Sequence, residues 1–519
     1  VTADRSGSGA LAPGHPAAAP DRAATAPAPP VTGTPPPAAG TPGRTFFGQP
    51  RWFGTLFMVD MWERFSFYGM RAILFLYLVA PTERGGLGVP AGQAAAVFGL
   101  YMSTVFLAAL PGGWVCDRLL GARRAILLGA LLIAAGHYSM AIPTTTGVVL
   151  GLPLIAAGTG LIKPSMGSMV SHLYRGETGK RDAAWSVFYM SIQVSALLAP
   201  VVTGLLGERI NWHLGFGAAA VGMTVGLVQY VLGSRHFGDL GAAPTDPAPP
   251  ELRRRVARWV TVAVVVAALL VAVDVAAGTF TIEHVLAVIG VAALVVPVLT
   301  YRAILRSPTL DAADRRRLRA FRWLLLASAV FWLPYDQGGS LLNLFAERQT
   351  DRDVLGFEFP ASWLQSLHPG FILLLAPLFA WLWVRTDRRI GVPAKFAAGL
   401  ALMCASFLVM AVAAQRAADG VLVTVWWLVL VYLLQVCGEL ALAPTGLSAL
   451  SQVAPPALVG QLMGVWWLFA ALGVAIGGQV ARLADVVPQT GYFAGLGLLV
   501  ALVATMVALG ARRLGRHLA

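Results

Sequence analysis

From Trp52 onward the chain alternates apolar runs of about twenty residues with short breaks rich in Gly, Pro and charge, the length at which an α-helix crosses the hydrocarbon core of a bilayer. The pattern predicts fourteen membrane-spanning helices, at about 52–80, 93–116, 123–142, 146–171, 182–206, 213–233, 256–277, 283–305, 318–346, 362–385, 393–415, 421–450, 458–483 and 490–511. The connections alternate too. DRLLGARR, RGETGKR, the SRHFG to ELRRRVAR stretch, RSPTLDAADRRRLR, VRTDRR and the final ARRLGRH are rich in Arg, whereas TERGG, IPTTTG, GERINWH, GTFTIEH, ERQTDRD, QRAADG and RLADVVPQ are poor in it or balanced. Positive loops stay on the cytoplasmic side, so both termini are expected in the cytoplasm.

Composition fixes the solvent. With 57% hydrophobic residues, 12% charged residues and a mean hydropathy of +0.70, the chain reads as an all-α polytopic protein of a cell membrane. The net charge of +13 is spread over short loops and is topological, which argues against a nucleic-acid partner. Residues 1–45, with runs such as TAPAPPVTGTPPPAAGTP, have no apolar core of a signal peptide and are expected to form a disordered cytoplasmic tail. Cys116, Cys404 and Cys437 are widely separated in apolar context, the setting of buried thiols rather than of a disulfide frame. No His-x-x-x-His or Cys-x-x-Cys pair occurs among the eight histidines and three cysteines, so neither a metal nor another cofactor is expected and an enzyme is disfavoured.

An internal repeat divides the chain. DRLLGARRAILLG follows the second span and DRRIGVPAKFAAG the tenth, sharing Asp-Arg-x-[Leu/Ile]-Gly-x7-Gly. Asp117, Arg118 and Gly121 in one copy correspond to Asp387, Arg388 and Gly391 in the other, and each trio is expected to clasp helices that slide past one another. Six spans per repeat leave two over, giving bundles at 46–234 and 316–511, a linker with two inserted helices at 235–315, and a basic tail at 512–519.

The first span breaks the apolar rule. DMWERFSFYGMRAILFLYL holds four ionised side chains, and each costs at least about 2.5–3.5 kcal/mol at the bilayer centre. Asp60, Glu63, Arg64, Tyr68 and Arg71 are spaced to form one stripe on one helix face, which needs a wet cavity or countercharges. Lys163 in GTGLIKPSMGS, Asp336 in FWLPYDQGGS and Glu439 in QVCGELALAPTG can supply them, each among Gly and Pro that suit a bent or unwound helix. A carboxylate whose basic partner comes and goes takes up and releases a proton. Asp60, Glu63, Arg64, Lys163 and Asp336 are therefore candidate coupling residues, with Lys163 expected to alternate between the Glu63/Arg64 cluster and Asp336. Arg71 and Lys163 against Glu439, which has no ionisable partner on its own span, form a bipolar arrangement that a zwitterion could bridge.

At these positions the chain resembles the proton-dependent oligopeptide transporter family of the major facilitator superfamily, over about 50–511. The first-helix pattern Glu-x-x-Glu-Arg-Phe-x-Tyr-Tyr-Gly is met by Asp60, Glu63, Arg64, Phe65, Phe67, Tyr68 and Gly69, with Asp and Phe as departures. Lys163-Pro164, Phe188-Tyr189 with Ile192-Gln193, Phe331-Trp332 with Asp336-Gln337, and Gly438-Glu439-Leu440 with Pro444, Gly446, Leu447 and Ser448 follow the family's later signatures in order. The resemblance implies two six-helix bundles with two inserted helices, proton-coupled import of di- and tripeptides by alternating access, and action as a monomer with protons as the coupling ion. It implies a substrate site of Phe67, Tyr68, Arg71, Tyr101, Lys163, Gln193, Trp332, His368, Glu439 and Trp466, with the peptide carboxylate on the positive side and its amino end at Glu439. Gln193 and His368 stand where family members commonly carry Asn. His brings a group that titrates near neutral pH, so a proton-coupled carrier of a non-peptide solute, such as nitrate or a drug-like or peptide-mimetic compound, is the alternative. A nutrient sensor without transport is a further one, which retention of Glu63, Arg64 and Lys163 disfavours.

Overall fold

A computed structural model describes residues 46–49, 51–173, 178–386 and 390–518; the tail at 1–45 and the motif residues Asp387 and Arg388 lie outside the described residues. The helices are α1 (Arg51–Val79), α2 (Ala91–Leu107), α3 (Ala109–Val115), α4 (Ala122–Ala141), α5 (Thr145–Leu173), α6 (Thr178–Arg209), α7 (Trp212–Gly233), α8 (Pro250–Ala276), α9 (Ile282–Leu305), α10 (Ala312–Tyr335), α11 (Leu341–Gln349), α12 (Leu367–Thr386), α13 (Val392–Ala417), α14 (Trp426–Val453), α15 (Val459–Val480) and α16 (Gln489–Leu518). A wider turn at Cys116–Leu120 continues α2 and α3 into a single span.

Among the described residues twelve spans are long and apolar enough to cross a membrane. Two more helices, α1 and α10, match them in length with 29 and 24 residues, but the charge stripe of the one and the DRRRLR start of the other lower their apolarity. Together they make the fourteen that the hydrophobic pattern predicts. Several ends differ from expectation, among them the starts of α8 at Pro250 rather than 256 and of α10 at Ala312 rather than 318 and the end of α16 at Leu518 rather than 511; two further ones have a visible cause. The ninth span does not run to 346: α10 ends at Tyr335, just after Pro334, and a turn at Asp336–Gly339 leads into the short α11. The twelfth starts at Trp426 rather than 421, because Val423–Thr424 pairs in parallel with Thr350–Asp351.

Helices α1 to α7 pack on one another, with α1 against α6 and α7 and α4 against α5 and α7; α10 to α16 form a second group, with α13 against α14 and α16 and α10 against α15. Small residues and hydroxyls permit these close approaches: Thr203 Oγ1 donates to the Gly69 carbonyl at 3.0 Å and Ser195 Oγ to that of Met61 at 2.6 Å. The groups meet along α2 with α15 and α6 with α12. At Gly99 a Cβ would lie 2.8 Å from the Cα of Gly478, so this joint requires glycine. Helix α9 leans on α2 and α15, while α8 is exposed along its whole apolar length, as a lipid-facing helix should be.

Polar bonds between the groups gather at one end, the end away from the Arg-rich connections. Glu208 at the end of α6 accepts from the backbone N–H groups of Ala361 and Ser362 at 2.7 and 3.0 Å. Trp363 donates to the Val201 carbonyl, Ser366 to that of Leu197, and Asn343 and Gln365 to that of Ala72. Tyr189 and Trp185, nearer the other end of α6, are exposed.

The Asp-Arg motif holds a different partner from the expected sliding helix. Arg118 pairs with Asp246 of the linker at 3.0 Å, and the carbonyls of Asp117 and Arg118 accept from the N–H groups of Asp246 and Ala248. Gly121 has φ 77° against the carbonyls of Gly241 and Ala243, a conformation and a space that only glycine accepts without strain. Gly391 has φ −70°, so the two repeats share sequence there without sharing backbone shape.

Candidate functional site

The stripe on α1 faces inward as its spacing requires. Asp60 and Glu63 are buried, with Arg64 Nε 3.6 Å from Asp60 Oδ1 and 3.3 Å from Glu63 Oε2. Ser191 on α6 donates to Asp60 Oδ2 at 2.7 Å. Among the described residues neither oxygen of Glu63, nor Asp60 Oδ1, nor the buried Tyr101 hydroxyl has a hydrogen-bond partner. Lys163 reaches toward this cluster from α5, just before Pro164, near enough to feel the charges of Arg64, Glu63 and Asp60. Its Nζ lies over the rings of Phe106 at 4.7 Å and Phe67 at 5.7 Å. Such cation–π contact is worth about 2 kcal/mol or more when desolvated, less than a buried charge loses in leaving water.

The expected pair of Lys163 with Asp336 is not formed. Asp336, in the turn that breaks the ninth span, accepts from Arg71 Nη2 at 2.8 Å, and Gln365 Oε1 lies 3.4 Å from Arg71 Nη1. The physical reason is height along the helices: Arg71 lies two turns beyond Arg64, at the joined end where the Asp336 turn packs, whereas Lys163 sits lower, beside Phe106. Of the helix breaks expected around the buried charges, the one at Asp336 is formed. Helices α5 and α14 run on through Pro164 and Pro444.

Glu439 on α14 is not without partners, contrary to its isolation in the span. Tyr335 from the end of α10 donates to Glu439 Oε2 at 2.6 Å, His368 Nε2 at the start of α12 lies 3.2 Å from the same oxygen, and Tyr335 Oη and His368 Nε2 are 2.6 Å apart. Three helices thus meet in one triangle. Both contacts fall on Oε2. Among the described residues no hydrogen bond reaches Oε1.

Tyr68 stands between the two clusters, within electrostatic reach of Arg64, Arg71 and Glu63 on one side and Glu439 on the other. An aromatic wall also joins them. Phe106 under Lys163 stacks on Trp467 at 6.0 Å between centroids; Trp467 lies 6.4 Å from Trp332, and Trp332 lies 4.6 Å from Tyr335. Trp466, expected in the site, is instead fully buried against Phe396 and Gly446; one residue on turns the helix by about 100°, and Trp467 takes the inner face. Gln193 is buried on α6, and Phe67 lies beneath Lys163. Sequence reasoning missed Tyr335, although it stands immediately before Asp336 in the quoted FWLPYDQGGS and a buried Tyr needs a hydrogen-bond partner. Among the described residues no group of three or more His, Cys, Asp or Glu could hold a metal ion.

Comparison with known proteins gives a consistent set of matches. A model described as the POT family matches residues 123–498. The uncharacterized transporter YclF of Bacillus subtilis (strain 168) is 38% identical over 456 residues, covering 88% of this chain and 92% of that protein. A di-/tripeptide transporter of Lactococcus lactis subsp. cremoris is 36% identical over 466 residues, covering 88% and 94%. Among solved structures, the peptide transporter POT in complex with sulfate is similar with a TM-score of 0.87 and 40% identity, covering 92% of this chain and 98% of that one.

Proposed function

The chain belongs to the POT family, a family of multi-pass membrane transporters and not of enzymes, and from that premise we propose that it imports di- and tripeptides together with protons by alternating access. The observation that carries this reading is the opposition of charge across the two helix groups. Arg71 and Lys163 stand on α1 and α5, Glu439 on α14, and Tyr68 lies between. A peptide zwitterion fits it, with its carboxylate toward Lys163 or exchanging with Asp336 at Arg71, and its ammonium on Glu439 Oε1. The aromatic wall of Phe106, Trp467, Trp332 and Tyr335 offers apolar side chains a surface without a fixed shape.

Glu63, buried beside Arg64 and lacking a hydrogen-bond partner among the described residues, is the proposed proton carrier, with Asp60, Arg64 and Lys163 setting its affinity. The two groups act as the moving bundles, and 235–315 links them. The Arg-rich connections favour cytoplasmic termini, and polar bonds between the groups at the opposite end support an inward-facing reading of this state. The Asp-Arg-Gly motif at Asp117 belongs to the cytoplasmic end of the first group.

The test is uptake of dialanine into proteoliposomes under an inward proton gradient, challenged with peptides, nitrate and drug-like compounds. Peptides as the strong competitors support the proposal. Nitrate or drug-like compounds competing where peptides do not would replace the substrate, and binding without gradient-driven uptake would make the protein a sensor.

A further inference from the structure

The triangle of Tyr335, His368 and Glu439 has a protonation logic of its own. A tyrosine hydroxyl has one hydrogen to give, and given to Glu439 Oε2 at 2.6 Å it leaves Tyr335 Oη as an acceptor toward His368. Nε2 therefore carries the hydrogen in this bond, and protonation of His368 adds the second hydrogen at Nδ1. Among the described residues Nδ1 makes no hydrogen bond. The groups facing His368 and its partners are Tyr335 from α10, Glu439 and Tyr432 from α14, Tyr189 of α6, which lies within reach of the charge on Glu439, and from α1 Tyr68 and Arg71, whose charge reaches Tyr335 and Tyr432. The turn at Ala361–Ser366 beside it has no titratable side chain. Tyrosines stay neutral below about pH 9 and Arg71 is paired with Asp336, so the charge open to exchange at the triangle is that of His368 and Glu439.

From this geometry we propose that His368 is a proton-responsive specificity residue, whose imidazolium competes with a substrate ammonium for the single carboxylate of Glu439. The inference rests on the reading that Glu439 receives the amino end of the substrate. With His368 protonated, Oε2 is already neutralised by a cation and an ammonium arriving at Oε1 meets a like charge a few ångströms away. Binding then expels the Nδ1 proton to solvent: ammonium plus imidazolium–carboxylate gives ammonium–carboxylate, neutral imidazole and one proton. A cationic substrate end thus binds more weakly as pH falls through the titration of His368. A substrate with a neutral end there escapes this competition, which favours acylated or otherwise uncharged amino-end analogues in acid.

The experiment measures the affinities of dialanine and N-acetyl-dialanine for the purified full chain by calorimetry from about pH 5 to about pH 7.5, where imidazole titrates and the peptide ammonium stays charged. The ratio of the two affinities cancels the pH dependence of the Asp60–Lys163 cluster, which both ligands share. The ratio favouring dialanine is expected to rise about tenfold over this range, roughly the loss of one charge-assisted contact, and to become flat in His368→Asn. Near pH 6 dialanine binding should release more protons than N-acetyl-dialanine binding in the native chain and no more in the variant, counted from heats in buffers of different ionisation enthalpy. His368→Gln serves the same purpose where the Asn variant does not fold. A slope that persists in either folded variant assigns the titration to Glu439 and overturns the proposal, as does a flat ratio above one in the native chain. A ratio of one at every pH means instead that Glu439 does not read the amino end, and removes the premise.

Discussion

The polar clusters on the two helix groups differ in how far their hydrogen bonds are satisfied. In the first, Glu63 is buried with neither oxygen hydrogen-bonded among the described residues, Arg64 Nε is likewise without such a partner, and Lys163 rests on aromatic rings. In the second, Glu439 Oε2 is held by Tyr335 and His368, which also bond each other. A buried polar group left without a partner costs about 1–3 kcal/mol, and more when charged. The first cluster is therefore poised to change protonation or partners, and the second is built to hold one carboxylate in place. Between them the Arg71–Asp336 pair ties the groups at their joined end.

The largest effect should come from removing the cation of the unsettled cluster. Lys163→Ala is expected to abolish uphill uptake, because Asp60 and Glu63 would then have Arg64 alone to favour their charged forms. Gradient-driven uptake at the native level in that variant would remove Lys163 from the coupling machinery.

Glu439→Gln breaks the settled cluster. It should weaken dialanine by roughly ten- to hundred-fold, corresponding to the loss of about 1.5–3 kcal/mol from a charge-assisted hydrogen bond. N-acetyl-dialanine should change little. The comparison is made as inhibition of a reporter substrate at fixed pH; equal losses for both ligands would give Glu439 a structural or proton-path role.

Smaller still is Tyr335→Phe, which removes one of the two bonds on Oε2 and leaves His368 to hold Glu439. About 0.5–1.5 kcal/mol is at stake, or roughly two- to tenfold in dialanine affinity. A loss as large as that of Glu439→Gln would show that the triangle acts as a unit and that its bonds do not add.

The helices were legible because bilayer thickness imposes a run length that needs no tertiary knowledge; Ile282–Leu305 falls within a residue of its expected span. The inward stripe on α1 was legible for the same local reason, since helical spacing fixes which residues share a face. Pairings between helices were not. Tyr335, His368 and Glu439 come from three helices, and nothing local aligns their heights, so Glu439 read as isolated. Asp336 was assigned to Lys163 on charge alone, yet the turn at Asp336–Gly339 carries it to Arg71. In GVWWLFAALG the helix is apolar on both sides of the Trp pair, so periodicity could not choose Trp467 over Trp466 for the inner face.

Glu63→Gln in proteoliposomes tests most directly the claim that the unsettled cluster handles the proton while the settled one holds the substrate. Glutamine keeps the shape and fixes the neutral state. The account predicts that accumulation of dialanine driven by a proton gradient is lost while counterflow exchange of dialanine across the same vesicles remains measurable. Accumulation at the native level, or loss of accumulation and counterflow together in a folded variant, would contradict it.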